Sequence, residues 1–556
     1  MPGEKRRLSR SYCQVLGINW TKGKTFGQML QETVARHPDR PAILFQDQRY
    51  TYREFQRAVD AFAQALIDLG LSRDDKLGLL LPDWPEYSIA LYACAKLGLV
   101  VSPMNPLYRK MEVLTVLNHL EAKALVIPEE WRDFRFVDLL AEIRPEIHSL
   151  SHIIVQGRPK EGMLSFQELL SQNWEKKLGP GFLEKYLQDH PVEADDLLEI
   201  AYTSGTTGRP KGVVETHNTR MLHSAGIAER IKASEKDAWL NMTPLFHTTG
   251  NCVVQHTAFL TGGTLILMGR YSTEASLREL ERCRATIAVG VPTMFIDLMN
   301  HPRFEKTDVS SLRFALFTGA PMPPEVALQI VKKFNCGILQ GDGTTECGSN
   351  VLSLPDSPIE LIAESPGPPL AVGNEVKIVE PNSNRIVPVG VLGEICHRGP
   401  TNFLGYYKDP ELTAQAVDEK GWFHSGDLGT MDEEGNIRLK GRIKDMIIRG
   451  GENLYPTEIE GVLYIYPKVK ECQVVGYPDE RLGEKTVACI IPKDAGEVVT
   501  REEIYEFMKD KTARFKIPDL VITIEDYPRT ASGKVQKFKL REMAAEKLGS
   551  MHRRER

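Results

Sequence analysis

The stretch YTSGTTGRPKGV, from Tyr202 to Val213, sets the hydroxyls of Thr203, Ser204, Thr206 and Thr207 around Gly205 and Gly208 and runs on to Lys211. Hydroxyls and backbone N–H groups in a glycine-rich turn can wrap phosphate oxygens, because glycine permits the backbone angles this needs. A lysine adds a mobile positive charge. The nucleotide loop G-x-x-x-x-G-K-[ST] does not fit: Arg209 and Pro210 separate Gly208 from Lys211, and Gly212 follows the lysine. By composition alone an ordinary polar surface loop is equally acceptable. The strand-like flanks LLEIAY and KGVVETH favour phosphate.

Other residues carry chemistry only in company. Asp427, in HSGDLG, offers a carboxylate suited to paired ribose hydroxyls, yet an isolated Asp there reads first as a turn residue. Lys534, in ASGKVQK, read singly is one more exposed lysine. His247, in PLFHTTGN, is a lone imidazole, a type more often structural than reactive. The run GDGTTECG approaches the dinucleotide fingerprint G-x-G-x-x-G, but Glu346 stands where the third glycine belongs.

The elements that must position these residues alternate along the first half. TYREFQRAVDAFAQALIDLG opens with Thr51 and Glu54 in a capping box; Phe55, Val59, Phe62, Leu66 and Leu69 follow at helical spacing, and Gly70 closes the helix. KLGLLLP reads as a short strand, Pro85 starts another helix, and LGLVVSPMNP and KALVIP repeat the apolar run. This alternation predicts an α/β fold, with mainly parallel sheets flanked by helices. The last hundred or so residues differ. VKECQVVGYP and KTVACIIPK read as strands, REEIYEFMKDKT as a charged helix and DLVITIEDYP as a further strand, which suits a small α+β domain. The boundary is expected near Arg442 to Lys444, giving domains 1–443 and 444–556.

A chain of 556 residues exceeds one domain, and 42% apolar with 26% charged residues is ordinary for a globular protein. A net charge of -6 gives no general attraction to nucleic acid. The first thirty or so residues lack a secretory apolar run, and Tyr87 to Val101, interrupted by Lys96, reads as a buried helix entering a strand rather than a membrane segment. Nine cysteines lie singly with no C-x-x-C pair, which indicates neither a zinc site nor a disulfide framework. A reducing cytoplasm is the expected compartment. Nothing in the sequence opposes a homodimer.

Seven ordered motifs together resemble the acyl-adenylate-forming enzymes, the superfamily of acyl-CoA synthetases, luciferases and peptide-synthetase adenylation domains. They are YTSGTTGRPKGV, MTPLFH (Met242 to His247), QGDGTTE (Gln340 to Glu346), GEICHRGP (Gly393 to Pro400), GWFHSGDLG (Gly421 to Gly429), GRIKDMIIRGGENLYPTEIE (Gly441 to Glu460) and PRTASGKVQK (Pro528 to Lys537). The resemblance implies two steps. A carboxylate first joins the α-phosphorus of ATP, expelling pyrophosphate; a thiol then takes the acyl group from acyl-AMP. Charge gathers around phosphorus in the first step, so positioned donors and cations carry most of the catalysis.

By the same resemblance Thr203, Ser204, Gly205, Thr206, Thr207, Gly208 and Lys211 hold the β- and γ-phosphates. Thr345 contacts the α-phosphate, and Glu346 ligates Mg²⁺, a hard ion suited to carboxylate oxygen. Asp427 and Arg442 bind the ribose. Lys534 is the catalytic lysine, bridging carboxylate and α-phosphate. The small C-terminal domain is implied to be mobile, with Lys444 at the hinge and Gly450 and Gly451 lying against the pantetheine of CoA. The acyl pocket is expected from His247 and its neighbours, the GVPTMFIDLM helix start, Gly319, Ala320 and Pro321, and the loop Gly341, Asp342, Gly343 and Thr344. Asp342 departs from the family, which places an adenine-stacking aromatic there.

Peptide-synthetase domains carry an acid where this chain has PLFHTTGN, and by the resemblance the catalytic domain is expected to reach about the end of this sequence, so that no carrier domain is expected within it. The implied function is an AMP-forming acyl-CoA synthetase using ATP, Mg²⁺ and CoA on a medium-chain, alicyclic or aromatic carboxylic acid. The alternatives are an acyl-AMP ligase loading a separate carrier protein and a non-catalytic acyl-nucleotide sensor.

Overall fold

A computed structural model describes residues 23–203, 210–318, 324–370, 373–381, 383–479, 481–494, 496–529 and 535–554. The chain divides into two compact units: Met1–Val376 with His397–Phe423, and Lys377–Cys396 with His424–Arg556. This packing boundary differs from the expected sequence boundary at 443/444, because strands before it fold with the C-terminal residues.

The first unit is built on two eight-stranded sheets. In one, Phe314–Thr318 lies between Ile287–Gly290 and Gly337–Thr344, with parallel pairing on both sides, and Gly348–Leu352 closes that edge antiparallel. In the other, Lys76–Leu79, Val100–Pro103, Ala124–Pro128 and His152–Gln156 run parallel beside Leu197–Thr203, which turns back antiparallel into Lys211–Thr216. Parallel strands need crossover helices, and both faces are thereby covered. The expected buried strands are accordingly free of solvent: every residue of Val100–Pro103 and of Ala124–Pro128 is buried.

Local sequence explains the helices that lie between these strands. Tyr52–Asp68 is capped by Thr51, whose side chain accepts from Glu54 N–H while Glu54 reaches back to Thr51 N–H. Phe55, Val59, Phe62 and Leu66 of that helix are buried, and Gly70 takes the left-handed conformation just past its end. Tyr87 to Val101 forms the buried helix running into a strand that its sequence predicts: Pro85–Leu97 ends at left-handed Gly98, and Val100–Pro103 follows. Lys96 is accommodated on this apolar helix by an ion pair with Asp60. No helix among the described residues is long and apolar enough to cross a membrane.

The second unit carries a five-stranded sheet. Val469–Asp479 and Gly483–Pro492 pair antiparallel, and Leu520–Thr523 adds parallel to the latter. Ile447, Leu454, Ile459, Val474, Ile490 and Ile504 form its core. A four-stranded sheet of Glu375–Val379, Gly393–Arg398, Phe423–Met431 and Ile437–Arg442 has most of its residues in this unit.

Candidate active site

In the first unit the glycine-rich stretch joins two strands that pair antiparallel, Leu197–Thr203 and Lys211–Thr216. Thr203 pairs with Lys211 and Tyr202 with Gly212 at its base; Ser204, Gly205, Thr206, Thr207 and Gly208 lie outside the described residues. Gly212 is required by close approach, since a Cβ there would lie 2.8 Å from the Ile200 side chain and 3.2 Å from Tyr407. Lys211 Nζ sits 5.3 Å from the centre of the Tyr406 ring. The Tyr406 hydroxyl donates to Glu346 Oε1 at 2.8 Å. Burial and the neighbouring Glu346 charge push the Tyr406 phenol far up, so it stays a donor. A cation, a tyrosine and a carboxylate thus form one chain beside the hairpin. Tyr406 is a member that the sequence motifs did not single out.

Glu346 is delivered by a second hairpin. Strand Gly337–Thr344 runs through Gly341, Asp342, Gly343 and Thr344 into the turn at Thr345 and Glu346, then returns as Gly348–Leu352. The register shifts between Asp342 and Gly343, a bulge that bends the strand as it reaches the turn. Phe403 N–H donates to the Glu346 carbonyl at 2.7 Å, fixing the turn from the side. Thr318, paired with Gly341, ends the neighbouring strand; Gly319, Ala320 and Pro321 come next and lie outside the described residues.

His247 lies in a segment held at both backbone polar groups of Leu245. Leu245 N–H donates to Asp83 Oδ1 at 2.7 Å, and the Leu245 carbonyl accepts from the Tyr87 hydroxyl at 2.9 Å. Burial pushes the Asp83 carboxyl up to about 7. Past His247 the backbone winds as a π-helix, Thr249–His256, a form often found at functional sites. A Cβ on Gly250 would lie 2.2 Å from the Pro244 carbonyl oxygen, so only glycine fits. This π-helix is bound to the strands flanking the glycine-rich tip through a buried polar network. Asn251 Nδ2 donates to Glu199 Oε2 at 2.9 Å, Arg220 pairs with the other oxygen of Glu199 at 2.5 Å, and Glu215 stands 3.9 Å from Arg220. Burial raises Glu215 to about 8.

The second unit holds Asp427, Arg442, Lys444, Gly450 and Gly451. Asp427 and Arg442 are directly opposed on neighbouring antiparallel strands, with Arg442 Nε 2.8 Å from Asp427 Oδ1. Asp427 N–H donates to Ser425 Oγ, and Ser425 Oγ donates to the Ile395 carbonyl at 2.6 Å. Gly426 N–H donates to Glu394 Oε1 at 3.0 Å. Lys444 sits in the single 3-10 turn Ile443–Asp445, directly after the strand carrying Arg442. Gly450 and Gly451, both at positive φ, make the tight turn between Ile447–Arg449 and Glu452–Leu454. Lys534 lies outside the described residues; Arg529 and Val535, on either side of it, pair as an isolated antiparallel bridge.

The sequence pattern of the AMP-binding enzymes matches residues 30–407, and that of the AMP-binding enzyme C-terminal domain matches residues 458–534. The medium-chain acyl-CoA ligase ACSF2, mitochondrial, of Homo sapiens is 35% identical over 556 residues, covering 96% of this chain and 89% of that protein. The solved structure of the anthranilate CoA ligase AuaEII in complex with anthranoyl-AMP superposes with a TM-score of 0.84 at 26% identity, over 95% of this chain and 98% of that one. A Mycobacterium tuberculosis fatty acyl CoA synthetase superposes at 0.69 and 30% identity, over 93% of this chain and 98% of that one.

Proposed function

The chain belongs to the AMP-binding enzyme family, and on that premise we propose that it is an AMP-forming carboxylate–CoA ligase acting on a medium-chain, alicyclic or aromatic carboxylic acid. The single observation that carries the reading is the Lys211–Tyr406–Glu346 chain beside the glycine-rich hairpin. A cation near the Tyr406 ring and a carboxylate on its hydroxyl supply the two kinds of charge that triphosphate chemistry uses, one for phosphate and one for a metal.

In this reading Thr203, the hydroxyls of the hairpin tip and Lys211 hold the β- and γ-phosphates, and Thr345 donates to the α-phosphate. The Glu346 carboxylate, which accepts from the Tyr406 hydroxyl, is a hard oxygen ligand suited to a hard divalent ion. Glu346 would hold Mg²⁺, which would neutralise triphosphate charge. Tyr406 keeps the Glu346 carboxylate aimed. Asp427 accepts from the ribose hydroxyls, with Arg442 holding Asp427 in place. Lys534 bridges substrate carboxylate and α-phosphate as the carboxylate oxygen displaces pyrophosphate. The thiol of CoA then attacks the acyl carbon and AMP departs. Residues from 444 onward swivel about Lys444 between the two steps, exchanging Lys534 for the Gly450–Gly451 turn. His247 lies at the acyl group, and its loop is fixed by Asp83 and Tyr87. The names of the similar proteins, a medium-chain acyl-CoA ligase, an anthranilate CoA ligase and a fatty acyl CoA synthetase, support the fatty and aromatic members of that range.

Pyrophosphate release from ATP and Mg²⁺ across a panel of short to long fatty acids, benzoates, alicyclic acids and amino acids, with and without CoA, tests this reading. CoA-dependent turnover with one of the proposed classes is expected. Turnover only with a phosphopantetheinylated carrier protein, or ATP binding without turnover on any acid, would overturn it.

A further inference from the structure

Glu394, Cys396 and His424 lie together in the second unit, and no step of the proposed reaction uses them. Glu394 and Cys396 are two residues apart on the strand Gly393–Arg398, so strand alternation points both side chains to one face. His424 lies on the neighbouring strand Phe423–Met431. Their ligand atoms all fall within 4.8 Å of one another. His424 Nδ1 is 2.8 Å from Glu394 Oε2 and 3.5 Å from Cys396 Sγ. Glu394 and Cys396 are buried, while the His424 side chain retains 21% of its exposure, which leaves a way in from solvent.

We propose that Glu394, Cys396 and His424 form a three-ligand site for a zinc-class divalent cation, separate from the magnesium chemistry at Glu346. Imidazole, thiolate and carboxylate are zinc ligands, and the thiolate selects against Mg²⁺ and Ca²⁺. The dimensions fit. Bond lengths of about 2.3 Å to sulfur and about 2.0–2.2 Å to nitrogen and oxygen, in a tetrahedron, put the S···N edge at about 3.6 Å and the N···O edge at about 3.4 Å. The observed S···N separation of 3.5 Å is already at that value. The N···O separation of 2.8 Å has to open by about half an ångström, within reach of a glutamate χ adjustment. Gly426 N–H, donating to the other oxygen of Glu394, is the outer hydrogen bond that orients a ligating carboxylate. On binding, the Cys396 thiol releases its proton to water, and the imidazole carries its remaining proton on Nε2. The fourth position is left to water.

The site stands three residues before Asp427 on the same strand. An ion there ties Gly393–Arg398 to the strand that presents Asp427, supplementing the Glu394–Gly426 and Ser425–Ile395 bonds. C-x-x-C spacing could not reveal it, because Cys396 and His424 are 28 residues apart and meet only through strand pairing.

Titration of the full metal-free chain with Co²⁺ alone, followed by Zn²⁺ competition, tests the proposal. Thiolate coordination gives a near-ultraviolet charge-transfer band that imidazole or carboxylate ligation cannot produce. The expected result is one such band per chain, displaced by equimolar Zn²⁺ and absent from Cys396→Ser. In Glu394→Gln, which keeps an acceptor for Gly426 N–H, cobalt affinity should fall at least tenfold. A wild-type chain without the band overturns the proposal, as does a band of unchanged intensity in cooperatively melting Cys396→Ser or unchanged affinity in Glu394→Gln. Should Cys396→Ser fail to fold, the wild-type band together with the Glu394→Gln affinity decides between the same two results.

Discussion

Gly250→Ala is the sharpest single test of how the His247 loop is positioned. An added methyl group would meet the Pro244 carbonyl oxygen at 2.2 Å, its carbon at 2.6 Å and the Thr243 oxygen at 2.8 Å. All three are backbone atoms, so no rotamer change relieves the clash. Restoring ordinary contact requires the Thr243–His247 loop or the π-helix to move by about 1 Å. The loop resists, because Asp83 and Tyr87 clamp both backbone polar groups of Leu245, and the π-helix resists through the Asn251–Glu199–Arg220 network. Overpacking of this kind costs about 1–3 kcal/mol of stability. A misplacement of about 1 Å in a reacting site costs roughly a hundredfold in rate. We therefore expect Gly250→Ala to lower kcat/KM for the carboxylic acid by about two orders of magnitude, with KM for ATP changed far less, in a pyrophosphate-release assay alongside a thermal melt. Gly461→Ala provides the contrast. Gly461 lies in the helix Pro456–Leu463 with open space where its Cβ would be, so alanine should be neutral or stabilise by about 0.5–1 kcal/mol. Gly250→Ala with kcat/KM and melting temperature unchanged would refute the reasoning.

Lys534→Ala should cripple formation of acyl-AMP by at least a hundredfold while sparing thioester formation from supplied acyl-AMP and CoA; equal losses in the two half-reactions would contradict a lysine used in one step only. Lys444→Pro, in the Ile443–Asp445 turn, fixes φ at the proposed swivel. It should slow the thioester half-reaction more than adenylation, and equal rates in both would move the swivel elsewhere. Asp83 predicts a pH effect. Burial holds its folded pKa at about 7, against about 3.9 unfolded. The native state keeps a proton that the unfolded state surrenders, so this group's stabilising contribution is complete below about pH 4 and is lost as pH rises to about 7. Asp83→Asn removes the titration but keeps an acceptor for Leu245 N–H, so its melting temperature relative to wild type should climb across that window; a pH-independent difference would rule out Asp83 as the cause.

What the sequence made legible is what short-range physics determines. The Thr51–Glu54 capping box, the Pro85 helix start, the alternation of helices with buried strands and the late hairpin all follow from neighbours within a few residues. Asp427 and Arg442 were each expected at the ribose only through motif resemblance, and their mutual ion pair depends on strand register. Tyr406 escaped notice because its link to Glu346 spans 60 residues. Asp83 contacts Leu245 across 162 residues, and Glu199 reaches Asn251 across 52, so neither has a local signal. The unit boundary was hidden for the same reason. Residues 397–423 return to the first unit while the segments on either side fold with the second, an excursion that no composition shift marks.

The central claim is that the carboxylate itself attacks the α-phosphorus of ATP, and oxygen tracing tests it most directly. The acid found by the panel, labelled with ¹⁸O in both carboxylate oxygens, is turned over with ATP, Mg²⁺ and CoA, and the products are weighed by mass spectrometry. Attack by the carboxylate leaves one labelled oxygen bridging carbon and phosphorus. When the thiol displaces AMP from the acyl carbon, that oxygen departs with AMP and the other stays in the thioester. The account predicts AMP carrying one ¹⁸O and pyrophosphate carrying none. Unlabelled AMP, or label in pyrophosphate or orthophosphate, would contradict it.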